Sequence, residues 1–177
     1  MTPGDFEIRA LTSSDHDDYH RVRLAGLEEC PWAFATGAEE WRSAGREVID
    51  GHLRSSESGP DAPILGALST ADGLVGLLGM RRDPRPSVRH KASLWGLYVL
   101  PPWRRQGVAR VMLSEMITVA GTVDGLRQLR ATVPVTGGAL AVFEQAGFAR
   151  FGIEVDAKQV DGRFYDQAYV WLRVGER

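Results

Sequence analysis

A basic turn that leads into a helix is the part of this chain whose residue types could do chemistry. Residues 99–110 read Val-Leu-Pro-Pro-Trp-Arg-Arg-Gln-Gly-Val-Ala-Arg. The first backbone N–H groups of a helix lack partners within the helix and, together with the helix dipole, favour an anion. Gly107 leaves room for a phosphate beside the backbone, and Arg104, Arg105 and Arg110 could add charge-assisted hydrogen bonds. The segment therefore predicts a site for a phosphate-bearing ligand.

Periodic apolar segments on both sides of the turn indicate the elements that position it. Residues 94–100 form an apolar run that predicts a strand. Beyond the turn, apolar residues recur at the spacing of three and four that gives a helix one buried face. These residues are Ala109, Met112, Leu113, Met116, Ile117 and Ala120. The basic turn is thus predicted to connect a strand to a helix.

Two blocks of the sequence resemble motifs of the GNAT superfamily of N-acetyltransferases. Residues 104–109, Arg-Arg-Gln-Gly-Val-Ala, are similar to its Q/R-x-x-G-x-G/A pyrophosphate loop. Residues 139–148, Ala-Leu-Ala-Val-Phe-Glu-Gln-Ala-Gly-Phe, resemble its A-x-x-L-Y-E-x-x-G-F segment. Both blocks occur in the family's order and on the expected elements. The resemblance implies a GNAT acyl-CoA N-acyltransferase fold in one domain, residues 1–177, with a mostly antiparallel sheet of six to seven strands and about four flanking helices.

The resemblance also implies acetyl-CoA as the acyl-donor cosubstrate and an amine of a small molecule or peptide as the acceptor. In this fold the fourth and fifth strands splay apart, with Gly96 at a plausible bulge, so that backbone groups of one strand can bind pantetheine. The Val99 N–H would then stabilise the oxyanion when the amine attacks directly. The residues expected to bind the coenzyme are Leu97, Tyr98, Val99, Arg104, Arg105, Gln106, Gly107, Val108, Ala109, Arg110, Thr136, Ala139 and Phe143.

Three positions depart from the family pattern. Ser93 stands where many relatives carry a glutamate base, Phe143 where they carry a tyrosine acid, and Thr136 where an asparagine often opens the second block. An alkylammonium has a pKa near ~10, so its proton must be removed by a base or through a water relay. The candidate bases are His90 and Glu29, with Glu28 beside it, and the candidate acids are Tyr98, Tyr165 and Tyr169.

The rest of the chain predicts a mixed α/β sheet flanked by helices, in the order β-α-α-β-β-β-α-β-α-β-β. Helices are expected from the Thr12 to Asp15 cluster to just before Pro31, near Glu39 to Leu53, from about Ala109, and over residues 138–145. A loop is expected at residues 55–63. The predicted strands cover residues 6–10, 64–69, 74–80, 94–100, 126–133, 148–155 and 165–174.

Composition excludes several classes of partner. The formal charge of −2 and the pI near 6.1 lack the basic excess of nucleic-acid-binding proteins. The single cysteine, Cys30, cannot form an internal disulfide, and no Cys/His cluster suggests a metal. No apolar run approaches the roughly 20 residues of a membrane span. We expect a cytoplasmic protein with no metal, membrane or nucleic-acid partner. The edge of the sheet could pair two copies into a homodimer.

Three functions remain open at this point. The first is an acetyl-CoA-dependent N-acetyltransferase. The second, suggested by Ser93 and Phe143, is a catalytically silent acyl-CoA-binding or sensing module. The third is a nucleotide-binding module, against which the missing P-loop lysine and the absence of a GxGxxG motif argue. Aromatic residues fill the core or line an acceptor pocket, and the sequence leaves that choice open for Trp32, Phe34, Trp41 and Trp95.

Overall fold

One mixed sheet organises the protein in a computed structural model, which describes residues 5–175. The strands lie in the order β1-β2-β3-β4-β5-β7-β6, and only the pair β4 and β5 is parallel. Their bounds are β1 Phe6–Ala10, β2 Ile64–Ser69, β3 Gly73–Arg82, β4 Lys91–Val99, β5 Gln128–Pro134, β6 Ala149–Val160 and β7 Arg163–Arg173. The predicted fold, with seven mostly antiparallel strands, is confirmed.

Five α-helices cover the two faces of this sheet. They are α1 His16–Glu29, α2 Ala38–Ser43, α3 Arg46–Glu57, α4 Val108–Thr122 and α5 Ala139–Gln145. One core lies between the sheet and α4 with α5, and includes Met112, Met116 and Phe143. A second core on the other face includes Tyr19, Leu27 and Leu53 of α1 and α3. Among residues 5–175, no helix has both the length and the apolar character needed to cross a membrane.

The prediction of a single helix over residues 39–53 is wrong, because the chain forms two helices there. Ala44 and Gly45 have extended backbones between α2 and α3. Glycine disfavours a helix interior, and the Ser43 hydroxyl donates to the carbonyl groups of Glu39 and Glu40, which ends the first helix. The second helix continues into the predicted loop as far as Glu57. Its buried Ser56 hydroxyl accepts a hydrogen bond of 2.9 Å from the Ile64 N–H at the start of β2.

Strand β6 is longer than predicted, extending to Val160 instead of Val155. Its pairing with β7 shifts register between Glu154 and Lys158, and Asp156 has a φ of 54°. A bulge of this kind interrupts the alternation of apolar and polar residues from which a strand is recognised. The hairpin of β6 and β7 therefore reaches further beyond the sheet than its sequence pattern indicates.

Candidate active site

The sheet opens between β4 and β5. These strands pair over only three positions, from Lys91 with Gln128 to Ser93 with Arg130, and then separate. On the other side of β4, the register against β3 shifts between Leu77 and Gly79, and Gly96 adopts a φ of 73°. A glycine at positive φ inside a register shift is a β-bulge, which bends the strand. The bulge and the short pairing together leave a gap beside the second half of β4.

The end of β4 directs a backbone donor into this gap. The Leu100 N–H donates to the Val75 carbonyl of β3 at 2.8 Å. Because successive N–H groups along an extended chain point to opposite sides, the Val99 N–H points away from β3, toward β5. At this level β5 no longer pairs with β4. The Val99 N–H is therefore available to a ligand that enters the gap.

A first cleft, of about 780 Å³, occupies the gap and continues to the start of α4. We call it the coenzyme cleft. Its volume lies in the range of small-molecule sites. Every residue that the sequence analysis assigned to the coenzyme lines this cleft except Gln106, whose side-chain amide donates to the Pro102 carbonyl. The two blocks of sequence motif, far apart in the chain, are thus brought to one cavity.

The turn before α4 is shaped to receive an anion. Gly107 precedes the helix with a φ of 84°, and Arg105 also has a positive φ, 62°. A side chain at Gly107 would meet nothing nearer than the Arg110 guanidinium, 4.0 Å away, so the space in front of the first turn of α4 is open. Backbone N–H groups in left-handed turns and at helix starts form concave anion sites. This geometry fits the diphosphate of a coenzyme.

Arg104, by contrast, is already paired. Its guanidinium donates to both carboxylate oxygens of Glu29 at 2.7 and 2.6 Å, and to the Val99 carbonyl at 2.9 Å. The Tyr98 hydroxyl donates to the same carboxylate at 2.6 Å. Hydrogen bonds from Arg104 and then Tyr98 lower the pKa of Glu29, while burial and the nearby carboxylate raise the pKa of Tyr98. Glu29 is thereby a weak base, and Arg104 ties the end of α1 to the coenzyme cleft.

The structure places the other candidate bases, His90 and Glu28, away from the gap, whereas the candidate acid Tyr169 pairs with Thr132 of β5 and lines a cavity beside the gap. His90 is exposed before β4, roughly 30 Å along the strand from Val99. Glu28 pairs with Arg42 on the surface. The Tyr165 ring stacks on Trp32 with 5.4 Å between ring centres, and the Tyr169 hydroxyl donates to Glu154. No group of three or more acidic, His or Cys residues in the described chain could hold a metal ion.

A second cleft, of about 920 Å³, opens on the other side of the gap. We call it the acceptor cleft. Both clefts are lined by Phe34, by Trp95 and Gly96 of β4, and by Ala131 and Thr132 of β5, so they meet at the gap. Trp41, another aromatic residue considered for a pocket, is buried in the core instead.

Sequence reasoning missed the polar residues of the acceptor cleft. The basic residues and the histidine among them are Arg23 of α1, His52 of α3, Arg81 of β3, Arg130 of β5 and Lys158 of β6. Each lies on a different element, and no motif links them. No sequence signal identifies them, because the register that gathers two of them is seen only in the structure, where Ser93 pairs directly with Arg81 on β3 and with Arg130 on β5. That register places two arginines beside the position where many relatives carry a glutamate.

The splayed sheet with a helix start at its gap is the acyl-CoA N-acyltransferase fold. A sequence model of the acetyltransferase (GNAT) family matches residues 18–148, and the chain belongs to this family. It is accordingly an acetyl-CoA-dependent N-acetyltransferase, with acetyl-CoA as the acyl donor. The sequence matches no curated protein.

Solved structures of acetyltransferases share this fold over almost the whole chain. A GNAT-family acetyltransferase from Streptococcus pneumoniae superposes with a TM-score of 0.85 at 20% identity, covering 97% of this chain and 100% of its own. A ribosomal-protein-alanine N-acetyltransferase from Brucella melitensis gives a TM-score of 0.80 at 22% identity, covering 95% and 99%. A phosphinothricin acetyltransferase from Sinorhizobium meliloti, solved with acetyl-CoA, gives 0.73 at 21%, covering 96% and 89%.

Proposed function

We propose that this protein transfers the acetyl group of acetyl-CoA to an amine of a small molecule or peptide, by direct attack in a ternary complex. The observation that carries this proposal is the meeting of two clefts at one gap in the sheet. A donor in the coenzyme cleft and an acceptor in the acceptor cleft would reach the gap from opposite sides. Holding two reactants in this way removes much of the entropic barrier to their reaction.

The coenzyme cleft supports a specific placement of acetyl-CoA. Pantetheine would lie along Leu97 to Val99 and bond to backbone groups that β5 leaves unpaired. The diphosphate would lie against the backbone N–H groups from Arg105 to Arg110, in front of α4. Thr136, Ala139 and Phe143 also line this cleft. Arg104 would act through position more than through charge, since Glu29 neutralises it.

The chemistry then follows from the groups at the gap. The ammonium of the acceptor loses a proton, and the neutral nitrogen attacks the thioester carbonyl carbon. The C–N bond forms and the C–S bond breaks, so that the thiolate leaves and takes up one proton while the nitrogen loses its second. The Val99 N–H would donate to the carbonyl oxygen as negative charge develops there, which is the largest contribution expected from this site.

Deprotonation of the acceptor does not depend on the base candidates named from sequence. His90 lies far from the gap, and the pKa of Glu29 is lowered by Arg104 and Tyr98. We propose that water in the acceptor cleft carries the proton away. Arg23, Arg81, Arg130 and Lys158 line this cleft, and nearby positive charge lowers the pKa of an ammonium. The neutral amine is therefore easier to form there than in bulk water.

Calorimetric titration with acetyl-CoA, CoA and ATP, followed by an assay of thiol release with a panel of amines, tests this function. We expect saturable binding of acetyl-CoA, no binding of ATP, and release of CoA that depends on the amine. Binding without turnover on any amine would favour the silent sensing module, which Ser93 and Phe143 at the usual catalytic positions support. Absence of acetyl-CoA binding would refute the placement of the coenzyme.

We further propose that the protein is cytoplasmic. We also propose that two copies of it pair along β6. Strand β6 is an edge of the sheet, and its Phe151, Ile153 and Val155 are exposed, as is Phe164 of β7. Exposed apolar residues on a free edge favour pairing with another strand. Light scattering should give the mass of a dimer for the purified protein and of a monomer for Phe151→Glu. A monomeric wild-type protein would refute the pairing.

A further inference from the structure

The acceptor cleft carries a strong excess of positive charge. Arg23, Arg81, Arg130 and Lys158 line it, and none of its lining residues is an aspartate or glutamate. No carboxylate of residues 5–175 lies within 4.0 Å of any of these four cations. Burial and then the neighbouring Arg23 lower the pKa of His52, which disfavours its charged form. The four cations therefore face the cleft without an internal counter-ion.

Arg23 lies beside the bulge at Gly96 and has unused hydrogen-bonding capacity. Its guanidinium carbon lies 5.0 Å from the ring centre of Trp41 and 5.1 Å from that of Trp95. One terminal nitrogen lies 3.2 Å from where a side chain would start at Gly96, in the bulge. The Arg23 Nε and the Trp95 Nε1 are buried and have no hydrogen-bond partner in the described chain. Buried donors without acceptors are costly and rare.

Ser93 explains why two of the other cations are unpaired. It lies on β4 opposite Arg81 of β3 and Arg130 of β5, so these three side chains share one face of the sheet. A carboxylate at this position would lie between two arginines and neutralise them. With serine there, the Arg81 side chain has no hydrogen-bond or salt-bridge partner among residues 5–175. Within the same residues the Arg130 side chain donates only to the Gln128 side-chain amide oxygen, at 3.0 Å.

From these contacts we propose that the acceptor is a small amine that also bears an oxyanion, such as a carboxylate or a phosphonate, and that Arg23, Arg81 and Arg130 bind this oxyanion. The inference rests on the proposed transfer function and specifies its substrate class. Arginine is suited to oxyanions because its planar donors match two oxygens at once. The oxyanion of the substrate amine would also accept a hydrogen bond from the unpartnered Arg23 Nε–H. A diamine or polyamine would instead meet like charge.

Matched pairs of amines provide the test. Thiol release from acetyl-CoA is measured for amino acids and for their carboxamides, which keep the amine and lose the anion, together with 2-aminoethylphosphonate and spermidine. We expect kcat/KM to be at least about tenfold higher for the best amino acid or aminophosphonate than for its uncharged partner, as for other charged hydrogen bonds. Equal or higher kcat/KM for carboxamides or spermidine would overturn the inference while leaving the transferase function intact.

Variants at Ser93 test whether the arginines bind the oxyanion of the substrate, without removing a buried residue. Ser93→Glu introduces an internal carboxylate between the two arginines, and Ser93→Gln is the control of equal size without charge. We expect Ser93→Glu to raise the KM for the anionic amine by about tenfold relative to Ser93→Gln, with KM for acetyl-CoA unchanged. Arg81→Gln should act in the same direction, while Arg173→Gln, an exposed arginine outside both clefts, should not. Equal KM values for the two Ser93 variants would overturn the inference.

A binding measurement separates failure of the inference from failure of the transferase function. The CoA complex is titrated calorimetrically with the same matched pairs, so that no turnover is needed. Tighter binding of the anionic member supports the inference even if no amine releases CoA, a result that would refute only the transfer. Equal binding of both members, or none, would overturn it.

Discussion

The two clefts that meet at the gap are built in different ways. The coenzyme cleft depends on backbone features: the separated strands, the bulge at Gly96 and the left-handed turn at Gly107. The acceptor cleft depends on side chains, and its four cations and His52 alone come from five separate elements. A site made from backbone tolerates many side chains, whereas a site made from side chains changes with each substitution. This contrast explains how one fold can keep its donor and vary its acceptor.

The largest effect is expected at the backbone-built site. Gly107→Glu would place a carboxylate before the first turn of α4, in the position that we propose for the diphosphate, and would strain a backbone with a φ of 84°. We expect acetyl-CoA affinity to fall about 100-fold or more in calorimetric titration, from charge repulsion and lost hydrogen bonds together.

The control for this variant is Gly121→Glu, the same change in the same helix at a position with nothing within 4 Å. It should bind acetyl-CoA as the wild type does. Gly107→Ala separates the contribution of backbone strain from that of charge. Unchanged affinity in Gly107→Glu would show that the diphosphate does not lie at this turn.

The next effect is expected in the acceptor cleft through its packing. The Trp95 indole lies flat against Gly79, where a Cβ would come within 2.2 Å of Trp95 Cε2. Gly79→Ala must therefore displace the indole that stacks on Arg23, and overpacking of this kind costs roughly 1–3 kcal/mol in unfolding free energy. We expect a raised acceptor KM with a smaller change in acetyl-CoA affinity.

Chemical denaturation measures the loss of unfolding free energy in Gly79→Ala, and steady-state kinetics measure its KM for the acceptor. Gly152→Ala is the matched control, since the added Cβ on this strand glycine would be 4.0 Å from its nearest neighbour, Tyr169. If Gly79→Ala weakened the binding of acetyl-CoA and of the acceptor amine equally, the two clefts would not act as separate sites.

A smaller effect is expected for Arg104, an arginine of the motif whose charge is already used. Its side chain pairs with Glu29, and both are more than one-third exposed, so solvent weakens the pair. We expect Arg104→Ala to reduce acetyl-CoA affinity less than about tenfold, because in the proposed complex backbone donors hold the diphosphate. A double-mutant cycle with Glu29→Gln should give a coupling free energy of unfolding of at most about 1 kcal/mol. Complete loss of acetyl-CoA binding would show that the diphosphate lies against Arg104.

The contrast between a cleft built from backbone and one built from side chains also decides what could be predicted from the sequence. Arg105, Gly107 and Val99 lie in one continuous segment, so a local motif sufficed to select residues that line one cleft. Arg23 and Lys158 are 135 positions apart, and only the folded sheet brings them together. Long-range register could not be read from periodicity, and for the same reason the sequence did not reveal that Glu29 neutralises Arg104. The break between α2 and α3 was missed because the apolar pattern continues across Gly45.

The smallest effect is expected in the pH dependence of stability, which should change on substitution of His52 but not on substitution of His90. His52 lines the acceptor cleft, its Nδ1 lies 3.1 Å from the Tyr19 hydroxyl, and burial lowers its pKa below the ordinary value. Below about pH 6.5 the unfolded chain therefore takes up a proton at this residue more readily than the folded chain does. The stability that His52 contributes is complete above that pH and is lost as the pH falls through its folded pKa.

Urea unfolding at about pH 7.5 and about pH 5.5 measures how much stability is lost between the two pH values. We expect a smaller loss for His52→Asn than for the wild type. The control is His90→Asn, at an exposed position, which should lose as much as the wild type. An equal loss in all three proteins would show that the environment of His52 does not disfavour its protonation, and the acceptor cleft would then be less positive than its lining residues indicate.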